Sequence, residues 1–199
     1  MHNKNIQIAG GQDAMARRRI LRIDNPDDKK TLTTRCHPVR MPNPSLKQLV
    51  ADMFETMHAV SGVGLAAPQI GITQRLAVIS IPPTVEERPD GTKVEVAPEQ
   101  NFVLINPEIV KASDQEEIGL EGCLSLPGWY GEVPRAAWVT VEYTDLNGRR
   151  QRIRRATGLL ARALQHEIDH LDGILFTERI RDLSTLKDYS EEAAPATAE

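Results

Sequence analysis

The chain has 199 residues and a formal net charge of -4, with 40% apolar and 26% charged residues. That length buries one core without demanding two domains, and the acidic balance argues against a general nucleic-acid binder. No apolar run of about eighteen or more residues exists, so no helical membrane span is expected.

Residues 1–19 show neither periodicity nor the apolar centre of a secretory signal, and are expected to be a flexible extension. Met15 stands just before "ARRRILRI", which makes the first residues an optional addition. "ILRID" then opens the fold as an extended segment. In "MPNPSLKQLVADMFETMHAV" the Asn43-Pro44 pair predicts a helix start, with Pro44 as first helical residue. Leu46, Leu49, Val50, Met53 and Met57 follow at helical spacing as a core stripe, leaving His58 at the surface. "RLAVISI" (75–81) and "FVLINP" (102–107) read as strands. Between them, 82–100 is rich in proline and charge and carries Asp90-Gly91, which predicts a protruding loop or small hairpin.

"AWVTVEYTDLNGRRQRIRR" reads as a hairpin, with Asn147-Gly148 suited to the positive φ angles of a tight turn and the arginines on a solvated face. Thr157 can cap a last helix whose stripe is Leu160, Leu164, Ile168 and Leu171, stopped by Gly173. The polar, acidic stretch 184–199 is expected to be a disordered tail, leaving 20–183 as the folded domain. Two cysteines, Cys36 and Cys123, are too few for a disulfide-rich secreted scaffold.

The last helix carries "QHEIDHLDG", residues 165–173. A helix turns about 100° per residue, so His166 and His170 face the same way, roughly 6 Å apart along the axis, with Glu167 on their flank. This is the HExxH arrangement of metallohydrolases, in which the histidines bind a metal and the glutamate exchanges protons with water. Such a site needs a third protein ligand. The pattern with a third histidine fails, because Phe176 stands where it should be. Glu178 is only eight residues beyond His170, and Glu191 and Glu192 fall in the tail. Upstream, "EGCLSLP" (121–127) offers Cys123, whose thiolate would complete a Cys-His-His set, beside Gly122, which would let the backbone approach the metal.

At these residues the sequence resembles the peptide deformylase family. "GVGLAAPQIG" (62–71) fits G-x-G-x-A-A-x-Q, "EGCLS" (121–125) fits E-G-C-x-S, and the HExxH helix follows in the family's order; the likeness runs from about residue 20 to about residue 180. The resemblance implies an α+β fold, with mixed, mainly antiparallel sheets packed around a central HExxH-bearing helix and a second helix near the N-terminus. It implies that Cys123, His166 and His170 hold one divalent metal ion. Fe(2+) is the expected ion, with Zn(2+), Ni(2+) or Co(2+) as alternatives. Glu167 would be the general acid/base, and the Gln69 side chain and Leu124 backbone N–H would stabilise the developing oxyanion. The substrate would be an N-formylmethionyl nascent peptide. Gly62, Val63 and Gly64 would lie along it, and Val63, Leu126, Leu159 and Ala163 would line the methionine pocket. Glu121 would pair with Arg135 to hold the cysteine loop, while Ser125 and Trp129 read as packing residues.

The same resemblance implies a cytoplasmic monomer, with no stable nucleic-acid or membrane binding and at most a transient ribosome contact. This chain departs from the family pattern at its start, "ILRIDNPDDKKTLTTRCHPV", in the longer insertion at 82–100, and in an acidic rather than basic C-terminal end. The alternatives to a deformylase are an HExxH endopeptidase, which would cut unformylated peptides internally, and a silent module that binds formyl-Met peptides without releasing formate.

Overall fold

A computed structural model of the chain describes residues 16–41 and 43–191; the readings for residues 1–15 and 192–199 lie outside them. The first helix, α1 (Pro26–Leu32), begins where the Asn25 side chain accepts the N–H groups of Asp27 and Asp28, with Pro26 in its first turn. Sequence reading did not place this helix, although its Asn-Pro start is a capping signal. Seven residues are too few to display an apolar period. Helix α2 (Leu46–His58) starts two residues later than the Asn43-Pro44 pair predicts. The reason is local: Asn43 Oδ1 accepts from the backbone N and Oγ of Ser45, 3.2 and 2.7 Å away, making a turn ahead of the helix. The α2 stripe behaves as expected, with Leu46, Val50, Met53 and Met57 buried, Leu49 packed beside them and His58 exposed.

A five-stranded antiparallel sheet runs in the order β1-β2-β5-β8-β9. Its strands are β1 (Gly64–Ala66), β2 (Leu76–Ile81), β5 (Gln100–Ala112), β8 (Trp138–Thr144) and β9 (Arg150–Thr157). Between β2 and β5 the insertion forms a separate hairpin, β3 (Thr84–Glu87) with β4 (Lys93–Ala97), turning at Gly91 with φ of 80°. Alternation along β2 and β5 serves two cores. Leu76, Val78, Val103 and Ile105 face α2, while Ile79 and Leu104 face the other side, with Val139 and Val141. A strand buried on both faces is nearly continuous in apolar residues, as "LAVISI" is but for Ser80, whose hydroxyl donates to Glu99 at 2.6 Å.

On that second face lies α3 (Gly158–Leu171), the last α-helix in chain order, through Ala161, Leu164 and Ile168. Gly173 adopts φ of 75° after it, and a Cβ there would stand 2.6 Å from the Thr33 carbonyl oxygen. At the β8–β9 turn only Gly148 has a positive φ; Asn147 does not, because the Asp145 side chain accepts the N–H groups of Asn147 and Arg149 and closes a longer loop. Arg150 and Arg152 project to solvent beside Glu142, as expected of a solvated face.

Strands β6 (Glu116–Cys123) and β7 (Leu126–Ala136) form a second hairpin, extended by β10 (Lys187–Asp188) into a three-stranded sheet ordered β10-β7-β6. This hairpin was not legible. "EEIGLEGC" places glutamates and glycines where strands favour β-branched residues. Gly122 makes room for a ring: a Cβ there would lie 2.5 Å from Tyr130.

Residues 16–19 and 184–191, which composition assigns to the flexible ends, are held by contacts to the fold. Residues 16–19 are bound, because Arg18 and Arg19 reach the buried Asp52 and Asp28. At the other end Lys187 and Asp188 pair with Tyr130 and Trp129, and the Tyr189 N–H donates to the Gly128 carbonyl at 2.7 Å. A two-residue strand that borrows a neighbour's edge leaves no compositional trace. The predicted mixed α+β class with mainly antiparallel sheets is present; among the described residues the one parallel pairing is an isolated bridge between His37 and Gln74. Among them, too, no helix is long and apolar enough to cross a membrane.

Candidate metal centre and active site

One turn of α3 brings the rings of His166 and His170 to a centroid separation of 4.9 Å. Cys123, at the end of β6, comes from the other sheet, and its Sγ lies 3.2 Å from His170 Nε2. The ligand atoms of Cys123, His166 and His170 all fall within 4.8 Å of one another. A thiolate and two imidazoles converging this closely are a donor set that fits a divalent transition metal, so the residues present suit such an ion.

Buried charge holds the set in place. Glu121, on β6, accepts from His166 Nδ1 at 2.9 Å, which leaves the other ring nitrogen for a ligand role. The same carboxylate takes two bonds from Arg135, at 2.8 and 3.0 Å, and one from Arg162 at 2.9 Å. The expected Glu121–Arg135 pair is therefore real. It also has an unforeseen extension: Arg135 Nη1 lies 2.5 Å from Asp169 on α3, which Arg179 meets from outside at 2.6 Å. Burial would raise the Glu121 carboxyl, but Arg135 and His166 outweigh it and hold it far below the usual carboxylate range. Burial likewise opposes ionisation of Cys123 and His166. Their mutual attraction, with His170 and Glu121 adding to it, wins and favours a thiolate beside an imidazolium.

Glu167 sits differently. Burial pushes its carboxyl up to about 7, against the opposing pull of the two histidines, and its Oε2 is buried with no partner among the described residues. Gly64 explains how the carboxylate fits, since a Cβ there would overlap Glu167 Oε1. Gln69 lies in the 3-10 turn Ala67–Ile70 that follows β1, and is 1% exposed. Its Oε1 accepts the Ala66 N–H at 2.8 Å, which fixes the amide so that Nε2 points at Cys123 Sγ (3.5 Å) and Ser125 Oγ (3.3 Å).

A cavity of about 470 Å³ opens over these groups. Gly62, Val63, Gly64, Gln69, Cys123, Leu124, Leu126, Leu159, Ala163, His166 and Glu167 all line it; His170 is not in its wall and is 1% exposed. Sequence reading missed Ile20, Tyr130 and Arg162 in its wall, and left Trp129, also in the wall, as packing. It also missed Ser125 as the partner of Gln69. Ile20, Trp129, Tyr130 and Arg162 belong to no motif with a readable spacing, whereas Ser125 stands in "EGCLS" and was read there as packing. Glu178, weighed as a ligand, instead accepts the Leu175 N–H at 2.9 Å.

Cys36 is the contrasting thiol. Burial pushes it up to about 11, with Arg75 pulling down and Asp172 up. At pH 8 its thiolate fraction is then on the order of 10⁻³, whereas Cys123 is ionised and faces the cavity. Iodoacetamide added to EDTA-treated protein is expected to label Cys123 alone, as read by peptide mass spectrometry; labelling of Cys36 first would contradict the assignment.

Comparison with known proteins agrees with this geometry. The family model for polypeptide deformylase matches residues 18–185. Over 185 residues the chain is 92% identical to the peptide deformylase of Roseiflexus sp. (strain RS-1), covering 93% of this chain and all of that one. It is 65% identical to that of Chloroflexus aggregans over 178 residues, 89% of this chain and 95% of the relative. Among solved structures, a peptide deformylase from Legionella pneumophila superposes with a TM-score of 0.69 at 42% identity, covering 85% of this chain and 89% of that one. One from Synechococcus elongatus in complex with actinonin gives 0.69 at 37%, covering 85% and 84%.

Proposed function

The chain belongs to the polypeptide deformylase family, and from that premise we propose that it removes the formyl group from the N-terminal formylmethionine of newly made polypeptides. The observation that carries the reading is the convergence of Cys123, His166 and His170 beneath a cavity that also presents Glu167 and Gln69. Fe(2+) is the ion we assign, with Zn(2+), Ni(2+) or Co(2+) able to take the same donors. Bound there, the ion supplies Lewis acidity toward water and toward the formyl oxygen.

The chain's own residues do the rest. Glu167 accepts a proton from water as the water oxygen bonds to the formyl carbon. Its raised pKa suits a group that must take and return a proton near neutrality. The Gln69 amide and the Leu124 backbone N–H donate to the formyl oxygen as it gains negative charge. Glu167 then hands its proton to the leaving nitrogen as the C–N bond breaks, giving formate and a free amino terminus. The glycine-flanked segment Gly62, Val63 and Gly64 runs along the peptide backbone, and Val63, Leu126, Leu159 and Ala163 enclose the methionine side chain. Burial of apolar walls with a few polar groups at one end is the usual build of such pockets.

The test is formate release from a formyl-Met tripeptide by the full chain loaded anaerobically with Fe(2+). Gln69→Ala is expected to retain substrate binding and lose about 10²–10³-fold in turnover, the usual cost of one oxyanion donor. Cleavage of unformylated peptides at internal bonds, without formate release, would instead favour the endopeptidase alternative, which none of the relatives compared supports. Binding of the formyl peptide with no turnover would favour a silent module.

A further inference from the structure

The segment ahead of α1 is fastened to both pieces of chain that carry the oxyanion donors. The Leu21 N–H donates to the Gln69 carbonyl at 2.7 Å, and the Ile23 N–H donates to the Ser125 carbonyl at 2.9 Å. The two N–H groups belong to residues two apart in the chain, so this short segment ties Gln69 to the turn that follows Cys123. The first partner is Gln69 itself. The second is the residue that follows Leu124. Ile20, between the anchors and these bonds, forms part of the cavity wall.

What holds the segment down lies away from the reacting groups. Asp52, on α2 and 1% exposed, receives the Ala16 N–H at 3.2 Å and the Arg18 guanidinium at 2.9 and 2.5 Å. The Arg18 N–H also donates to Thr56 Oγ1 at 2.9 Å. Asp28, on α1 and 7% exposed, takes a forked contact from Arg19 and the Arg22 N–H at 3.0 Å. These are two buried carboxylates for which the proposed reaction has no use. Their partners come mainly from this one segment, and a forked guanidinium–carboxylate pair fixes orientation as well as distance.

We propose that residues 16–23 are a positioning strap, anchored by Arg18 on Asp52, that sets the spacing of the Gln69 and Leu124 donors through the bonds from Leu21 and Ile23. This rests on the assignment of those two donors to the formyl oxygen. Arg18 touches no reacting atom and is a positioning residue; it acts through Gln69 and the Cys123–Ser125 turn. A donor displaced by a fraction of an ångström still leaves the peptide bound along Gly62–Gly64, so loosening the strap lowers turnover more than binding.

The experiment compares full-length wild type, Arg18→Ala, Gln69→Ala and the double variant, all nickel-loaded, on a formyl-Met tripeptide, with the Gln69 side-chain amide signals followed by NMR. Arg18→Ala is expected to lower kcat about 10- to 100-fold with KM within about twofold, and to shift the Gln69 amide signals. In the Gln69→Ala background the same change is expected to cost much less, because the two residues act along one line. Unchanged kcat and unshifted amide signals in Arg18→Ala would overturn the strap, as would losses that simply multiply in the double variant. Should Arg18→Ala fail to fold, Arg18→Lys, which keeps the charge and loses the fork, must give a smaller loss of the same kind. Absence of formate release from wild type would overturn the functional assignment instead, while the amide shift would still report on the strap.

Discussion

Replacing Glu167 with glutamine is expected to abolish most turnover and, at the same time, to make the metal-depleted protein more stable at pH 8. The activity loss, about 10²–10⁴-fold in kcat, is the ordinary contribution of a positioned acid/base. Glutamine fills the same space beside Gly64 and cannot carry the proton. The stability gain follows from linkage. The Glu167 carboxyl titrates at about 7 in the fold, against 4.5 for a free glutamate, because burial disfavours its charged form. Below about pH 4.5 the group is neutral in both folded and unfolded chains and costs nothing. As pH rises toward 7 the unfolded chain ionises first, and stability is lost; above 7 the loss levels off at about 3 kcal/mol. Glutamine has no such penalty. Thermal melts of EDTA-treated wild type and Glu167→Gln are expected to coincide near pH 4 and to separate by several degrees at pH 8. Coincident melts at pH 8, or a variant melting lower, would contradict the burial argument.

Arg135→Met is expected to give the largest loss of stability among single changes around the site. Arg135 is 6% exposed and lies between two carboxylates, those of Glu121 and Asp169. Removing one partner from a buried ion pair typically costs about 3–5 kcal/mol, because the other charge stays buried and unmatched. Arg162, His166 and Arg179 partly remain as partners, which places the expected cost toward the lower end of that range. The pH dependence has the opposite sign to that of Glu167. Glu121 is depressed in the fold, so its stabilisation is present above the pKa of a free carboxyl and fades as acid protonates it. The gap between wild type and Arg135→Met should therefore be widest near neutrality and narrow below about pH 4. Because Glu121 also orients the His166 ring, metal affinity is expected to fall about 10- to 100-fold, measurable by competition with a chromogenic chelator. A variant that melts like wild type and keeps its metal would show that Arg162 and Arg179 suffice.

The sequence showed most clearly those features that depend on near neighbours. The apolar run of β2 and the stripe of α3 announce themselves within a window of a few residues and appear in the structure; the β8–β9 hairpin does too, although its turn uses a positive φ at Gly148 alone. Helix α1 and the β6–β7 hairpin did not, for different reasons. The helix is too short to show a period, and the hairpin spends its positions on Glu121, Gly122 and Cys123, whose identities answer to the site rather than to strand propensity. The strap escaped notice because arginines near a terminus read as solvated, and only the fold reveals that Asp52 and Asp28 are buried opposite them.

What the sequence determined alone is the helical face shared by His166 and His170, with Glu167 beside it, since a period of 3.6 residues is a local property of the backbone. That Cys123 reaches those rings was decided by tertiary structure. It comes from a strand end 47 residues before His170 and arrives only because one sheet packs a hairpin against the helix that the other sheet supports. The same holds for the raised pKa of Glu167 and for the Glu121–Arg135–Asp169 chain, because both arise from desolvation and through-space charge. Such forces act between residues that the linear order keeps apart, and no local pattern encodes them.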